Sequence, residues 1–407
     1  MNPTANPDPT TRFDGLLADA TALRQRTVAL RRTIHRNPEL GLELPDTQRA
    51  VLAELDDLPM EITRGENTSG ITAVLRGDAA GPAVLLRGDM DALPLQEETG
   101  LEYASERDGV MHACGHDTHV AMLATAARLL AARRDQLAGS VVLMFQPGEE
   151  GHHGARYMLD EGVLDAAGEP VSEAFALHIH GNTTSGLVFT RQGPILAAAD
   201  QFHVQVTGRG GHGSAPHDAC DPVPAAAEMV GALQTNLTRK VSVFDPAVLS
   251  VTRIAAGTTS NIIPERAELE GTIRTLSAGN RTVVREMLHR VCSGVAAAHG
   301  CEVDVTVTPG YAPTVNAAAP AQRALDLAAG VLGQRYSEAV DQPIMGAEDF
   351  SYVLDRVPGA LAFLGACPPD LDPAHAPSNH SNRVVFDEAA LPHGAAMYAA
   401  FALDALR

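Results

Sequence analysis

Three apolar runs in the sequence each end in a side chain that can act as an acid, a base or a metal ligand. The runs and the residues after them are 83–86 before RGDMD (87–91), 141–145 before QPGEE (146–150), and 174–177 before His178. Short apolar runs that alternate with longer helical stretches are typical of a mostly parallel sheet. Ligands of open α/β sheets bind at the carboxyl ends of the strands. The pattern therefore predicts one sheet with one site at that edge.

The pattern of apolar and polar residues changes near residue 197. Phe202, Val204 and Val206 alternate with polar residues, as in a sheet with one solvated face. The elements predicted after them are a helix near 222–237, strands near 247–254 and 267–276, a helix over 281–299 and a strand over 302–308. This β-α-β-β-α-β order is typical of a split βαβ, ferredoxin-like domain.

The chain returns to helix and buried strand after about Tyr311. Because its 407 residues exceed the usual size of one hydrophobic core, we expect two domains. The predicted fold class is α/β. Residues 13–196 and 311–407 form a domain with a mixed, mostly parallel sheet, and residues 197–310 form an inserted α+β domain.

The charge balance excludes some classes of partner. Thirty basic residues against 50 acidic ones give a formal net charge of -20, which repels phosphate backbones and anionic lipid. We therefore expect no nucleic-acid partner and no membrane partner. No apolar stretch approaches the roughly 20 residues that span a bilayer, and residues 1–12 lack the pattern of a secretory signal. The five cysteines are odd in number and scattered, so a reduced cytoplasm is the expected compartment.

The densest cluster of reactive side chains is MHACGHDTH at residues 111–119. Cys114 and His116, separated by one glycine, can place a thiolate and an imidazole on one turn around a metal ion. A helix is predicted next, with Asp117 or Thr118 as its cap. A packed cysteine and a capping histidine are the alternative. A cysteine nucleophile is disfavoured, because no orienting group is apparent and the glutamate pair would be unexplained.

Two adjacent acids, Glu149 and Glu150, follow the second apolar run. One of them can bind metal while the other takes a proton from metal-activated water and passes it to the leaving amine. The alternative is a solvated turn after a strand. His178 and His380 taken singly are more often structural. The same holds for His112, His119, His152, His153 and His180.

These motifs together resemble the aminoacylase and hippurate hydrolase family of di-metal amidohydrolases, which includes the plant auxin-conjugate hydrolases. The matching segments are HRNPEL (35–40), DMDALP (89–94), HACGHD (112–117), QPGEEG (146–151), GGH (210–212) with PH (216–217), NIIP (261–264), GTIR (271–274) and GAEDF (346–350). Their order and spacing hold from about residue 25 to 390, so jointly they are a specific signal. The resemblance implies a metal-binding catalytic domain and an inserted lid domain through which a homodimer forms.

The resemblance also implies the roles of individual residues. The implied metal ligands are Cys114, His116, Glu150, His178 and His380, with the Cys114 thiolate as the bridge between two metals. Glu149 resembles the general base and acid. Asp91 resembles a residue that orients a ligand. Asp89 stands where related peptidases carry a ligand histidine, a departure that suggests His116 has taken over that role.

Three residues of the inserted domain resemble the substrate-facing groups of the family. His212 can donate to the carbonyl oxyanion, and Arg274 can bind a free carboxylate in bidentate fashion. Asn261 is the third of these groups. Taken without the resemblance, they read as a turn histidine and ordinary polar residues of strands.

The function implied is that of a metal-dependent amidohydrolase whose substrate is a small N-acyl amino acid or a similar amide. Two divalent ions per chain, of zinc, manganese or cobalt, are the implied cofactors. A dipeptidase or carboxypeptidase of the same superfamily is the competing enzyme class. A metal-binding protein without catalysis is the third reading, and the presence of Glu149 argues against it.

Overall fold

The computed structural model of the protein describes residues 13–407. The strands are β1 Met60–Arg64, β2 Ile71–Arg76, β3 Ala79–Asp89, β4 Ala138–Gln146, β5 Val171–Thr184, β6 Val188–Thr190, β7 Gly193–Leu196, β8 Ala198–Thr207, β9 Gly211–His212, β10 Ala247–Ala256, β11 Ile262–Ile263, β12 Arg266–Thr275, β13 Glu302–Pro309, β14 Thr314–Asn316, β15 Ser337–Ala339 and β16 Gly359–Cys367. The helices are α1 Leu16–Ala22, α2 Arg24–Arg36, α3 Pro45–Leu55, α4 His116–Ala131, α5 Gly154–Asp160, α6 Pro222–Lys240, α7 Ala278–Ala298, α8 Ala318–Leu327, α9 Ser351–Leu354 and α10 Leu391–Ala405.

The described chain divides into two compact units. The first comprises the chain up to Ile195, Val315–Gln342 and Tyr352–Arg407, and the second comprises Leu196–Thr314 and Pro343–Ser351. The segment Pro343–Ser351 thus groups with the second unit, whereas the sequence placed it in the first domain. The reason is backbone pairing inside the second unit: Ala197 donates its N–H to the carbonyl of Gly346 at 2.9 Å.

The first unit is built on an eight-stranded sheet within the described residues, in the order β1-β2-β4-β3-β5-β16-β6-β15. The pairs β3–β4, β3–β5, β5–β16 and β6–β15 are parallel, and the remaining pairs are antiparallel. Every residue of β16 is buried, as expected of a central strand covered on both faces. The predicted mixed, mostly parallel sheet is confirmed.

The register of this sheet aligns the ends of the three apolar runs. Asp89 at the end of β3 lies opposite Gln146 at the end of β4. On its other side β3 pairs with β5 as far as Arg87 opposite Ala176, so Asp89 and His178 follow at the same level. The sequence suggested that His178 ends its strand. In the structure β5 instead continues to Thr184 and remains paired with β16.

A buried charge network fixes the start of α4 in the first unit. The Asp117 carboxylate accepts hydrogen bonds from Arg31 Nε at 2.7 Å and from His35 Nδ1 at 2.8 Å. Although burial opposes ionisation, Arg31 and then His35 hold the pKa of Asp117 far below its usual range. The sequence suggested Asp117 as a cap of this helix, but its carboxylate is engaged by Arg31 and His35 instead. The N-cap is Gly115, in a left-handed conformation and without a side-chain cap.

The second unit contains a four-stranded antiparallel sheet in the order β10-β12-β8-β13. Along β12 buried and partly exposed residues alternate, because α6 and α7 cover only one face of the sheet. The chain order β8-α6-β10-β12-α7-β13 confirms the predicted split βαβ topology.

Among residues 13–407, no helix combines the length and the apolarity needed to cross a bilayer. The expectation about a secretory signal falls on residues 1–12, which lie outside the described part of the chain.

Replacing Asp117 by asparagine should destabilise the first unit, because it leaves the buried Arg31 without its main counter-charge. We expect a loss of about 3–5 kcal/mol in the free energy of unfolding at pH 7. Because the folded-state pKa of Asp117 is depressed, this loss should shrink as the pH falls below the ordinary aspartate value of 3.8. Urea unfolding in the presence of a chelator measures the change.

Asp78→Asn is the matched control, since Asp78 pairs with Arg134 at the surface. Exposed pairs contribute little, so this variant should unfold like the wild type. Equal stabilities of the Asp117 and Asp78 variants would contradict a structural role for the buried network.

Candidate metal centre

Four of the predicted ligands meet around one sulfur atom. The sulfur of Cys114 lies 3.4 Å from Nε2 of His178 and 3.3 Å from Nε2 of His380. The same His380 nitrogen lies 3.2 Å from Oε1 of Glu150. These side chains come from the turn before α4, from β5, from the loop before α10 and from the segment after β4. Residues up to 266 positions apart in the chain thus share one point.

The potential ligand atoms form two groups that share Cys114. In one group Cys114, His116 and His178 have ligand atoms within 4.8 Å of one another, and in the other Cys114, Glu150 and His380 do. His116 is fully buried, and neither of its ring nitrogens makes a hydrogen bond within residues 13–407, although Nε2 lies 3.5 Å from Asp89 and Nδ1 lies 3.5 Å from Asp91. A buried imidazole without a hydrogen bond is costly, so its environment suits metal coordination.

The donor chemistry fits two divalent ions of borderline softness. One thiol, three imidazoles and one carboxylate are the ligand types preferred by zinc and similar transition metals. Burial, and then the nearby Glu150 carboxylate, raises the pKa of the Cys114 thiol. A bound cation would offset this effect and favour the thiolate, which is the form that ligates metal.

Two residues in the left-handed backbone region shape the centre. Gly115 has φ of 87°, and a Cβ at this position would lie 2.4 Å from Cγ2 of Ile179. Only glycine can therefore join Cys114 to His116 in this turn. His380 has φ of 68°, which is uncommon for a residue with a side chain and is found at functional sites. Its backbone N–H donates to the carbonyl of Ala113 at 2.9 Å.

Asn379, which sequence reasoning missed, connects three segments of the centre. Its side-chain nitrogen donates to the carbonyls of Cys114 and Ile179, both at 3.0 Å. Its side-chain oxygen accepts the N–H of Gly181 at 2.9 Å. The loop carrying His380 is thereby held against β5 and the turn before α4. The only sequence signal was the position of this asparagine beside a candidate ligand.

Asp91 positions the two adjacent glutamates through their backbone. One of its carboxylate oxygens accepts the N–H of Glu149 at 2.9 Å, and the other accepts the N–H of Glu150 at 3.0 Å. Asp91 is buried, and its Oδ1 lies 3.5 Å from Nδ1 of His116. The carboxylate of Glu149 is also buried, within 4.8 Å of the potential ligand atoms of His116 and Glu150. Asp91 therefore fixes where both carboxylates leave the backbone.

Hydrogen bonds also orient the histidines at the end of the sheet. The Nδ1 atom of His178 donates to the carbonyl of Ile179 at 2.8 Å, which leaves Nε2 directed at the Cys114 sulfur. His119 Nε2 accepts the N–H of Ile179 at 2.7 Å, and its Nδ1 bonds to Asp89. Asp89 also lies 2.7 Å from Arg87. Asp89 is thus engaged by Arg87 and His119.

The remaining histidines near the motifs differ in their surroundings. His153 bonds to the Tyr352 hydroxyl at 2.8 Å, and His180 bonds to the Thr183 hydroxyl at 2.9 Å. Burial lowers the pKa of His112 to about 3, so this ring is neutral at pH 7.

The three predicted substrate-facing residues lie in the second unit at two separate places. His212 on β9 is exposed and pairs with Ile262 on β11, and the carbonyl of Asn261 accepts the N–H of Gly213 at 2.9 Å. Arg274 lies toward the far end of β12, opposite Ala199. About 26 Å of strand separates it from Arg266, the end of β12 that β11 adjoins. The structure thus brings His212 and Asn261 together but places Arg274 apart from them.

Most of the chain matches the model of one known protein family. Residues 85–404 match the model of peptidase family M20/M25/M40. The chain is 37% identical over 345 residues to N-acetylcysteine deacetylase of Bacillus subtilis, covering 84% of this chain and 89% of that protein. It is 36% identical over 389 residues to thermostable carboxypeptidase 2 of Saccharolobus solfataricus, covering 95% and 96%. It is also 36% identical over 380 residues to IAA-amino acid hydrolase ILR1-like 4 of Arabidopsis thaliana, covering 92% and 84%.

A solved structure with a similar fold is that of the YXEP protein of Bacillus subtilis, described as a dinuclear metal binding peptidase from the M20 family. The match has a TM-score of 0.82 and 32% sequence identity, and it covers 95% of this chain and 99% of that one. The likeness therefore extends over nearly the whole length of both proteins.

Removing the shared sulfur should sharply reduce metal binding, because both groups of predicted ligands include it. The wild-type protein is expected to bind about two divalent ions per chain, the stoichiometry of a two-metal site. Cys114→Ser should bind less than one, as measured by elemental analysis after dialysis against zinc or manganese.

His375→Ala serves as the control, since His375 is an exposed histidine that pairs with Asp372 in the loop that leads to the centre. It should retain the full metal content. If Cys114→Ser kept two ions per chain, the sulfur would not be the shared ligand.

Proposed function

The chain belongs to the M20/M25/M40 peptidase family, and we propose that this metal-dependent amidohydrolase cleaves the amide bond of N-acyl amino acids. The observation that carries the proposal is the ligand cluster around Cys114, beside the buried carboxylate of Glu149 that Asp91 holds in place. Relatives named as an N-acetylcysteine deacetylase and an IAA-amino acid hydrolase support this class of substrate.

A carboxypeptidase that removes a residue from a peptide is the second candidate. The relative named thermostable carboxypeptidase 2 matches 95% of this chain at similar identity. Both reactions hydrolyse an amide next to a free carboxylate, so the ligands and the base would be the same. The two differ in whether the acyl side of the scissile bond is a simple acid or a peptide.

The chemistry requires a nucleophilic water and a protonated leaving amine. When bound, two divalent ions lower the pKa of water and polarise the amide carbonyl. Glu149 takes a proton from the water as its oxygen bonds to the carbonyl carbon. Glu149 then delivers that proton to the amide nitrogen as the C–N bond breaks. The products are a carboxylic acid and an amino acid.

The native metal, zinc, manganese or cobalt, is part of the proposal. It is supported by the donor set of the centre, one thiol with imidazoles and carboxylates. A cytoplasmic location is proposed as well, in keeping with five cysteines that are all free.

A homodimer that forms through the second unit is the proposed assembly. An N-acyl amino acid is about 10 Å long, whereas about 26 Å of strand separates Arg274 from the end of β12 beside His212. Two copies of the unit could present the oxyanion donor of one chain and the carboxylate-binding arginine of the other to one substrate. Strand β10 lies at the edge of its sheet with Val248 and Ile254 exposed, and the nearby Phe244 is 95% exposed. Such an edge is suited to pairing with another chain.

The metal-loaded enzyme should hydrolyse N-acetyl and N-benzoyl amino acids in preference to dipeptides that share the same C-terminal residue. Turnover of each substrate is measured by release of the free amino acid. Dipeptides cleaved faster than every N-acyl amino acid would instead favour the carboxypeptidase.

Glu149→Gln should lower kcat by roughly 10²–10⁴-fold, as for removal of a general base.

The adjacent acid provides the matched control. Glu150→Gln should lose metal, whereas Glu149→Gln should keep the wild-type metal content. The opposite pattern of metal loss would reverse the two assignments.

His212→Ala should lower kcat by about 10²–10³-fold with little change in KM, because an oxyanion donor acts mainly in the transition state. Steady-state kinetics on the best N-acyl substrate measure the effect. Wild-type kinetics in this variant would remove His212 from the mechanism.

Subunit mixing tests whether His212 acts on the partner's substrate. Inactive His212→Ala and inactive Glu149→Gln proteins are mixed and allowed to exchange subunits. A mixed dimer then contains one site with both groups intact, and part of the activity should return. Exchange without any recovery would rule out action across the dimer.

A further inference from the structure

Two thiols of the second unit, distant in sequence, lie side by side. The sulfur atoms of Cys220 and Cys301 are 3.4 Å apart, although 81 positions separate the residues. Cys220 directly precedes the N-cap of α6, and Cys301 directly precedes β13. Both cysteines are free thiols. A disulfide bond of about 2.05 Å would require the sulfurs to approach by only a further ~1.4 Å.

The polar neighbours of both sulfurs, other than each other, are backbone carbonyls. Cys220 donates its S–H toward the carbonyls of Gly300 and His299, at 3.2 and 3.5 Å. Cys301 Sγ lies 3.8 Å from the carbonyl of Asp221 and 3.9 Å from that of His299. Thiol-to-carbonyl bonds are weak, so closing a disulfide sacrifices little. Within residues 13–407, the hydrogen bonds that the two sulfurs form are these weak contacts and the contact between the sulfurs themselves, so no strong bond holds the sulfurs apart.

Cys220 also forms the base of the loop that carries His212. Arg209 and Cys220 pair as an isolated bridge, in which each N–H donates to the other's carbonyl at 2.8 Å. The bridge closes residues 210–219 into a loop with His212 near one end. Any bond made by Cys220 therefore acts at the base of this loop.

We propose that Cys220 and Cys301 form a reversible disulfide by exchange with a low-molecular-weight disulfide such as glutathione disulfide, and that this bond anchors the base of the His212 loop to the turn before β13. The proposal adds a modification site to the second unit. It requires neither the metal centre nor the substrate assigned above.

The exchange takes place in two balanced steps. The Cys220 thiolate attacks one sulfur of glutathione disulfide, forming a mixed disulfide and releasing one glutathione thiolate. The Cys301 thiolate then attacks the Cys220 sulfur, and the second glutathione leaves. The protein loses two thiol protons and two electrons, and one glutathione disulfide becomes two glutathione molecules.

The surroundings of the two thiols decide the order of these steps. Cys220 is partly exposed, so a dissolved disulfide can reach it, whereas Cys301 is buried. Burial, and then the neighbouring Cys220 thiol, raises the pKa of Cys301 to about 11. Cys301 is therefore the slower nucleophile toward dissolved disulfide. It becomes effective only against a mixed disulfide already formed beside it.

The first test counts thiols in the metal-loaded wild-type enzyme after exposure to glutathione disulfide. The titre measured after denaturation should fall from five thiols to three. The intact mass should fall by roughly 2 Da, for two hydrogens lost. Peptide mapping should join Cys220 to Cys301, and dithiothreitol should restore all five thiols. A wild-type protein that keeps five thiols, or gains only a glutathione adduct of about 305 Da, would overturn the proposal.

Two variants separate this pair from the other cysteines. Cys301→Ser should stop at the mixed disulfide on Cys220, because the second nucleophile is missing. Cys292→Ser, which removes a buried cysteine on the neighbouring α7, should still lose two thiols. The wild-type mapping decides the question by itself if Cys301→Ser does not fold.

Hydrogen exchange tests whether the disulfide restrains the loop of residues 210–219. The backbone amides of residues 210–219 should exchange about tenfold more slowly in the oxidised wild type than in the reduced protein. The loop of Cys220→Ser should exchange at one rate with or without glutathione disulfide. Equal exchange of the loop in oxidised and reduced wild type would show that the bond does not restrain it.

Discussion

The proposed chemistry of the first unit depends on the sulfur of Cys114. Both groups of predicted ligands described above include it, and its two histidine neighbours come from β5 and from the loop before α10. Burial raises the pKa of this thiol, so a buried Cys114 is useful as a ligand only beside a cation. The register of β3 and β5 also positions this site, because it places His178 level with the end of β3.

Hydrogen bonds to the backbone hold the surrounding side chains in place. Asp91 binds the N–H groups of two successive glutamates, and Asn379 binds carbonyls in two separate segments. Bonds of this kind fix where a side chain begins, which narrows the positions its functional atoms can take. The left-handed backbone of His380 costs about 1–3 kcal/mol in such surroundings. The bond from the N–H of His380 to Ala113 and the bonds of the neighbouring Asn379 help to offset that cost.

The proposed substrate-facing groups of the second unit lie apart along its sheet. His212 and Asn261 lie beyond one end of β12, and Arg274 lies near the other end. One small substrate cannot span that length, which is why a second copy of the unit enters the proposed function. The base of the His212 loop also carries Cys220, so one thiol of the pair and a proposed catalytic group share one short segment.

The sequence by itself determined the features that depend on local spacing. The Cys114-Gly115-His116 turn, the adjacent pair of glutamates and the order of elements in the second unit are of this kind. In each case the partners are neighbours in the chain, so residue type and period are sufficient to predict them.

Only the tertiary structure decided which residues meet across long stretches of chain outside the predicted ligand set. Asp117 pairs with Arg31 across 86 positions instead of capping its own helix. Asn379 reaches Cys114 across 265 positions, and Cys220 meets Cys301 across 81. Such contacts follow from strand register, helix packing and the paths of long loops. No local pattern encodes these, because each contact depends on how two separate segments are placed by the rest of the fold.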